Sequence, residues 1–385
     1  MKAPARPSLL ERWEALGRPF THMPRWAAAL VLALMLAMAL GAAAALAPGA
    51  ARAPASGPAS LTTTSAQDAA PAPSATGRAK GDMALYARIA ERVAAGEGYH
   101  AAALAEHRAS GYPTRPFVTI RLPTLAWLQA VIGVDGVRWL ALTLVAGAIA
   151  ALFWRAAPLA GIEERIVAAA LLAAGGGAAL SPLAGYDHDF LAGVLLSLAL
   201  VAYRPHRWWP ALLAAAAALA VRELAAPFVV LWLGFALAEG RRREALALAA
   251  LVALFAAGLA AHALAVDALR LPGDLVSQGW DALAGYRVPL AGLAELTGLR
   301  HLPPLLAAPL AVLPLIGWAG LGGRMGLFAL LWFAGLATGM ALFARPQNYY
   351  WIELALPAYA IGLAFAPRAL AELFARLTVR TSKQI

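Results

Sequence analysis

Two aspartates flank a histidine in Gly185-Tyr186-Asp187-His188-Asp189-Phe190. Carboxylates at this spacing offer hard oxygen ligands, so Asp187 and Asp189 could share a divalent cation. They could equally cap the apolar stretch that follows, because an Asp ahead of a helix accepts its orphan N–H groups. Asp82 stands at the head of Met83, Tyr86, Ile89, Ala90 and Val93, whose spacing marks one face of a helix. It is either the N-cap of that helix or a general base. Arg222-Glu223 separates two short apolar pieces. A charged pair there is either a structural ion pair at a helix break or a contact for phosphate or sugar. Catalytic candidates are therefore Asp82, Asp187, Asp189 and Glu223, with His188 between two of them.

Groups that would bind rather than react lie nearby in sequence. Arg345-Pro346-Gln347-Asn348-Tyr349-Tyr350-Trp351, followed by Glu353, combines a guanidinium with amides and flat rings. Arg345 suits phosphate through its planar fork. Gln347, Asn348 and Tyr349 suit sugar hydroxyls, although an interfacial aromatic belt accounts for the rings as well. Tyr112-Pro113-Thr114-Arg115-Pro116-Phe117 and the following Arg121 give two more arginines, either phosphate contacts or interfacial anchors. Tyr99 and His100 belong to the same region. His22, His206, His262 and His301 read as structural or interfacial. The chain has no Cys, so disulfides and thiolate chemistry are excluded. It has no P-loop, no G-x-S-x-G elbow and no H-E-x-x-H.

The elements that must position these residues are set by composition. Of 385 residues, 62% are apolar and only 14% are charged. A soluble domain carries about 25% charge. Apolar runs of about 20 residues recur, which is the mark of a polytopic membrane protein. Spans are expected at 26–47, 137–154, 164–180, 189–203, 208–221, 224–238, 244–265, 303–318, 325–343 and 350–366, ten in all. The first is read as an uncleaved anchor, although Ala45-Leu46-Ala47 has the form of a signal-peptidase site. Segment 1–25 is basic, and 48–80 is a Pro/Ala-rich disordered linker. Residues 81–136 form an extracytoplasmic loop of short amphipathic helices. Residues 137–366 are the multi-span domain, and 367–385 the tail. The expected fold is thus all-α and polytopic.

The net charge of +10 does not imply nucleic acid, because the excess sits on termini and short loops. Arg155, Arg165, Arg204, Arg207, Arg241 to Arg243 and Arg324 fall on one set of loops with both termini. The short loops of the other set hold only Arg222 and Arg345. By the positive-inside rule both termini are cytoplasmic. Splitting 208–238 into two pieces keeps Arg241 to Arg243 inside. Most carboxylates then fall outside, where a polar site near the bilayer is expected. The Ala/Arg/Gly/Pro-rich usage suggests a GC-rich bacterium, and hence its inner (plasma) membrane.

In organisation the chain resembles the GT-C superfamily of polytopic glycosyltransferases. The resemblance rests on GDMALY after the first span, then GEGYH, YPTRPFVTIRLP, YDHDF and VRELAAPFVV. It implies sugar transfer from a polyprenyl-phosphate donor to a glycan, lipid or protein acceptor on the extracytoplasmic side. It implies that Asp82 is the general base, with Tyr86 one turn on. It also implies that Arg115, Arg121, Arg222 or Arg345 meets the lipid phosphate. A divalent cation would belong to Asp187 and Asp189. The alternatives are a flippase or transporter for a lipid-linked glycan, and a polymerase- or ligase-type enzyme of cell-envelope glycans.

Overall fold

The computed structural model describes residues 13, 15–47 and 75–378. Every regular element among them is helical, with one isolated bridge between Arg115 and Val276. The helices are α1 (Arg25–Leu46), α2 (Ala75–Ala94), α3 (Tyr99–Ala109), α4 (Thr124–Arg155), α5 (Ile162–Gly176), α6 (His188–Ala202) and α7 (Trp209–Val221). They continue as α8 (Ala226–Ala238), α9 (Arg242–Ala268), α10 (Arg287–Leu296), α11 (Pro304–Leu321), α12 (Gly323–Phe343), α13 (Leu356–Tyr359) and α14 (Gly362–Thr378).

Five segments are long and apolar enough to cross a membrane: Arg25–Leu46, Phe117–Arg155, Arg242–Ala268, Pro304–Leu321 and Gly323–Phe343. Helix α1 has 22 residues. At 1.5 Å per residue that is about 33 Å, against a hydrocarbon core of about 30 Å. Its Trp26, Leu30, Leu34, Leu36 and Leu40 are exposed, as a lipid-facing surface requires. Helices α7 and α8 have 13 residues each. They reach only about 20 Å. Helix α6 is apolar all round and nearly all of it is buried, so it is the central helix of the bundle. Small residues seat neighbouring helices closely. Gly317 of α11 lies against the Gly362 carbonyl, and α1 meets α11 through Ala42, Ala308 and Val312.

The bundle has two polar ends. At one, Arg222 lies against Asp189; at the other, Arg324 lies against Glu239 and Tyr203 against Glu244. Helix α6 runs from the first end to the second, α7 returns, and α8 runs back again. The chain reverses at Arg222, whose extended backbone (φ −146°) breaks the helix. The break expected at Arg222-Glu223 is thus present.

Three expectations are corrected. Helix α2 begins at Ala75, so residues 75–80 are helical and not linker, and Asp82 lies inside the helix and not at its N-cap. Residues 48–74 lie outside the described residues. Segment 350–366 is not one helix: a 3-10 run, Pro346–Leu354, precedes the short α13 and then α14. Helix α4 begins at Thr124, well before 137, with Gly133 interrupting it at φ +73°.

Helices α2 and α3 pack together through Leu85, Ile89, Ala102, Ala103 and Leu104 at the Asp82 end. His107 of α3 is buried there, with Nδ1 on the Ala103 carbonyl at 2.8 Å. Burial pushes it down to about 4 from the usual 6.5. Between these values the unfolded chain binds a proton that the folded chain does not, so stability rises with pH across the window. The expected cost of lowering pH from 6.5 to 4 is roughly 3 kcal/mol at about 1.36 kcal/mol per unit. Thermal unfolding of the detergent-solubilised chain checks this: the dependence should weaken in His107→Leu, with His100, also lowered by burial, supplying part of what remains. Asp274 is held well below the usual carboxylate range by Arg108, so its stabilisation is lost only at lower pH, outside the window.

Candidate functional site

Three elements bring polar groups together at the Asp82 end. Helix α2 supplies Asp82 and Tyr86, the N-terminal turn of α6 supplies Asp187, His188 and Asp189, and the 3-10 run supplies Tyr349, Tyr350 and Glu353. The 3-10 run is seated by two glycines. A side chain on Gly193 of α6 would collide with the Glu353 carbonyl, and one on Gly292 of α10 with the Tyr349 carbonyl. Arg121 enters from the approach to α4. These groups line one cavity of about 850 Å³. Its far wall is apolar, formed by Leu171, Ala174 and Ala178 beside α5 and by Leu310, Ala311 and Pro314 of α11. At its rim stand Glu295, Arg300 and His301.

The polar floor is an ion network. Arg222 is 1% exposed; its Nε donates to Asp189 Oδ1 at 2.7 Å, and its Nη1 pairs with Glu223. Arg121 lies 3.9 Å from Asp189 and 3.8 Å from Glu223. Arg121 also donates to the Tyr86 hydroxyl at 3.0 Å and to the Tyr350 hydroxyl at 3.3 Å. The Tyr86 ring meets His188 edge-on at 4.8 Å. Asp82 Oδ1 accepts from the Tyr112 hydroxyl at 2.6 Å. Asp187 accepts from the Phe190 N–H at 2.9 Å, the cap geometry foreseen as one reading, and its carboxyl hydrogen-bonds that of Glu353. Burial first, then the neighbouring carboxyls, pushes both Asp187 and Glu353 up. Each carboxyl is therefore harder to ionise beside the other.

The structure places Asp82, Tyr86, Arg121, Asp187, His188, Asp189 and Tyr349 on the cavity wall. Arg222 and Glu223 lie behind Asp189 and Arg121 as its support. The remaining candidates lie outside the cavity lining. Arg115 donates to the Asp274 carbonyl at 2.8 Å, and Arg345 Nε donates to the Gly279 carbonyl at 2.7 Å. These two arginines staple segment 274–279 to the body of the protein. Tyr99 donates to the Arg121 carbonyl at 2.6 Å, which fixes the Arg121 backbone from behind. His100 contacts His262 Nδ1 at 3.1 Å. Asn348 accepts from the Arg345 N–H at 3.3 Å, closing its own turn, and Gln347 is not part of the lining.

Asp189 is matched by two arginines, and Asp187 faces Glu353. Among the described residues no group of three or more His, Asp or Glu stands in metal-ligand geometry. Sequence reading missed Tyr112 as the partner of Asp82, Glu353 as the partner of Asp187, and Arg300 with His301 at the rim. The Tyr112 hydroxyl lies 30 residues from Asp82, and no local spacing connects them.

No family model, curated protein or solved structure matches this chain. The reading of the site rests on its geometry.

Proposed function

We propose that the chain is a membrane glycosyltransferase of the GT-C type, moving a sugar from a polyprenyl-phosphate donor to an acceptor hydroxyl. One observation carries the reading: the cavity joins a floor of carboxyls, arginine and tyrosines to an apolar wall between α5 and α11. A lipid-linked sugar has that same division between a polar head and an apolar tail. The Asp82 end lies on the extracytoplasmic side, because Arg155, Arg204, Arg207 and Arg241 to Arg243 crowd the opposite end. In a bacterial inner membrane this leaves both termini in the cytoplasm.

In the proposed reaction the acceptor oxygen attacks the anomeric carbon, and the bond from that carbon to the phosphate oxygen breaks. Asp82 accepts the acceptor's proton. The lipid phosphate leaves with the bonding electron pair. Its charge is met by Arg121 in the floor or by Arg300 at the rim, both of which line the cavity. Arg222 and Glu223 hold Asp189 and Arg121 in place.

The test is transfer by the purified full chain in proteoliposomes, with a labelled polyprenyl-phosphate sugar as donor. Wild type should release polyprenyl phosphate in step with acceptor glycosylation. Ala174 lines the apolar wall and is exposed to the cavity side. Ala174→Trp should lower transfer about tenfold, the equivalent of about 1.4 kcal/mol, by filling the tail path. Movement of intact lipid-linked sugar across the bilayer with no release of lipid phosphate would overturn the transferase reading in favour of a transporter.

A further inference from the structure

The end of the bundle remote from Asp82 holds a second cavity, of about 290 Å³. It opens between the C-terminal ends of α4 and α6, the body of α8 and the start of α12. Two arginines line it, and they differ in one respect. Arg324 is matched: Glu239 lies at 2.8 Å and Glu244 at 3.7 Å, and the guanidinium lies over the Tyr203 ring at 3.8 Å. Arg155 is not matched. Its Nε donates to the Tyr203 carbonyl at 3.1 Å, and among the described residues no carboxylate pairs with it. Arg204 and Arg207 on the connection from α6 to α7 add positive charge at the same mouth, with Arg207 5.6 Å over the Trp209 ring. The rest of the wall is apolar, including Leu159, Leu200, Phe228, Met325 and Phe328.

A cation without a counter-ion, set in an apolar-walled cavity, attracts an anion that carries its own apolar part. Trp154, next to Arg155 in the chain, and Trp209, at the start of α7, are 72% and 51% exposed, and exposed tryptophans favour the headgroup level of a bilayer. We propose that this cavity binds the phosphate headgroup of an anionic phospholipid of the leaflet opposite the Asp82 site. Arg155 takes the phosphate, and the first part of an acyl chain packs on Leu200 and Phe328. The site is independent of the transferase reading, since it uses none of the groups around Asp82.

The experiment is native mass spectrometry of the full chain in neutral detergent, titrated with phosphatidylglycerol or phosphatidylcholine. Wild type should retain one phosphatidylglycerol with about tenfold preference or more, as for one charge-assisted contact. Arg155→Gln should lose that preference, and Arg155→Lys should keep part of it. Met325→Trp, which fills the cavity without touching charge, should lose retention of the anionic lipid. Arg242→Gln with Arg243→Gln removes exposed charge at the same end outside the cavity and should leave the preference intact. Unfolding temperatures of all variants identify any loss caused by misfolding, and Met325→Trp then decides. An unchanged preference in folded Arg155→Gln overturns the proposal. So does an equal loss in the Arg242/Arg243 variant, which would mean general surface attraction. Displacement of the lipid by millimolar inorganic phosphate that itself binds alone would overturn the lipid as occupant.

Discussion

Asp82→Asn is expected to lower sugar transfer by about 10²–10⁴-fold, the usual contribution of a positioned general base. The substitution is nearly isosteric. The asparagine Oδ1 still accepts from the Tyr112 hydroxyl, now at 2.6 Å from Asp82, so α2 and the Tyr112 segment keep their contact. What is lost is the ability to take a proton. Turnover at saturating donor should fall while the donor concentration for half-saturation stays within a few-fold, because the apolar wall that seats the lipid is untouched. The site holds other carboxyls, and Asp187→Asn is the sharpest comparison. An asparagine there can still cap α6 by accepting from the Phe190 N–H, and its amide can donate to Glu353. The neutral amide also removes the repulsion between two neighbouring carboxyls. Asp187→Asn should therefore retain most of the activity. Full activity in Asp82→Asn, or an equal loss in Asp187→Asn, would remove Asp82 from the role of base.

What the sequence revealed of this arrangement followed from local physics. The uncharged run after Arg25 is long enough for one crossing, and α1 is that helix. Arg222-Glu223 between apolar pieces cannot sit solvated within a membrane helix, and the chain reverses there. Asp187, His188 and Asp189 are adjacent in sequence and remain so at the cavity. Where local sequence leaves alternatives open, the deciding contacts are distant. Arg115 reads equally as a phosphate contact or an interfacial anchor, and Arg345 as a phosphate contact or part of an aromatic belt, because an arginine among aromatics looks the same whether it faces a ligand, the interface or a backbone carbonyl. Their actual partners, the carbonyls of Asp274 and Gly279, are 159 and 66 residues away. Segment 350–366 is apolar enough for a span, but Pro346 and Pro357 stand at helix starts, and the tight seat on Gly193 and Gly292 holds the run in 3-10 form. Asp82 was placed at a helix start because the apolar periodicity begins at Met83, whereas the helix extends back through residues with no such pattern.

Arg222→Met is the second large expectation, and it concerns stability. The guanidinium is 1% exposed and joins Asp189 to Glu223, while Arg121 stands almost 4 Å from both carboxylates. Removing it leaves Asp189, itself 3% exposed, with only the more distant Arg121 to offset its charge. Breaking a buried pair from one side costs about 3–5 kcal/mol, since the surviving charge is neither solvated nor paired. The loss should appear as a lowered unfolding temperature in detergent, and Arg222→Lys should lose less because charge survives while the planar fork does not. The double variant Arg222→Met with Asp189→Asn tests the cause. Neutralising the stranded carboxyl should restore most of the lost stability, because an intact buried pair contributes little net over a neutral replacement. Sugar transfer should not return with it, as Arg121 and the floor of the cavity would have lost the group that fixes their geometry. If the double variant were as unstable as the single one, the cost would lie in the space left by the guanidinium against α6 and α7, and Asp189 would not be the residue that Arg222 exists to hold.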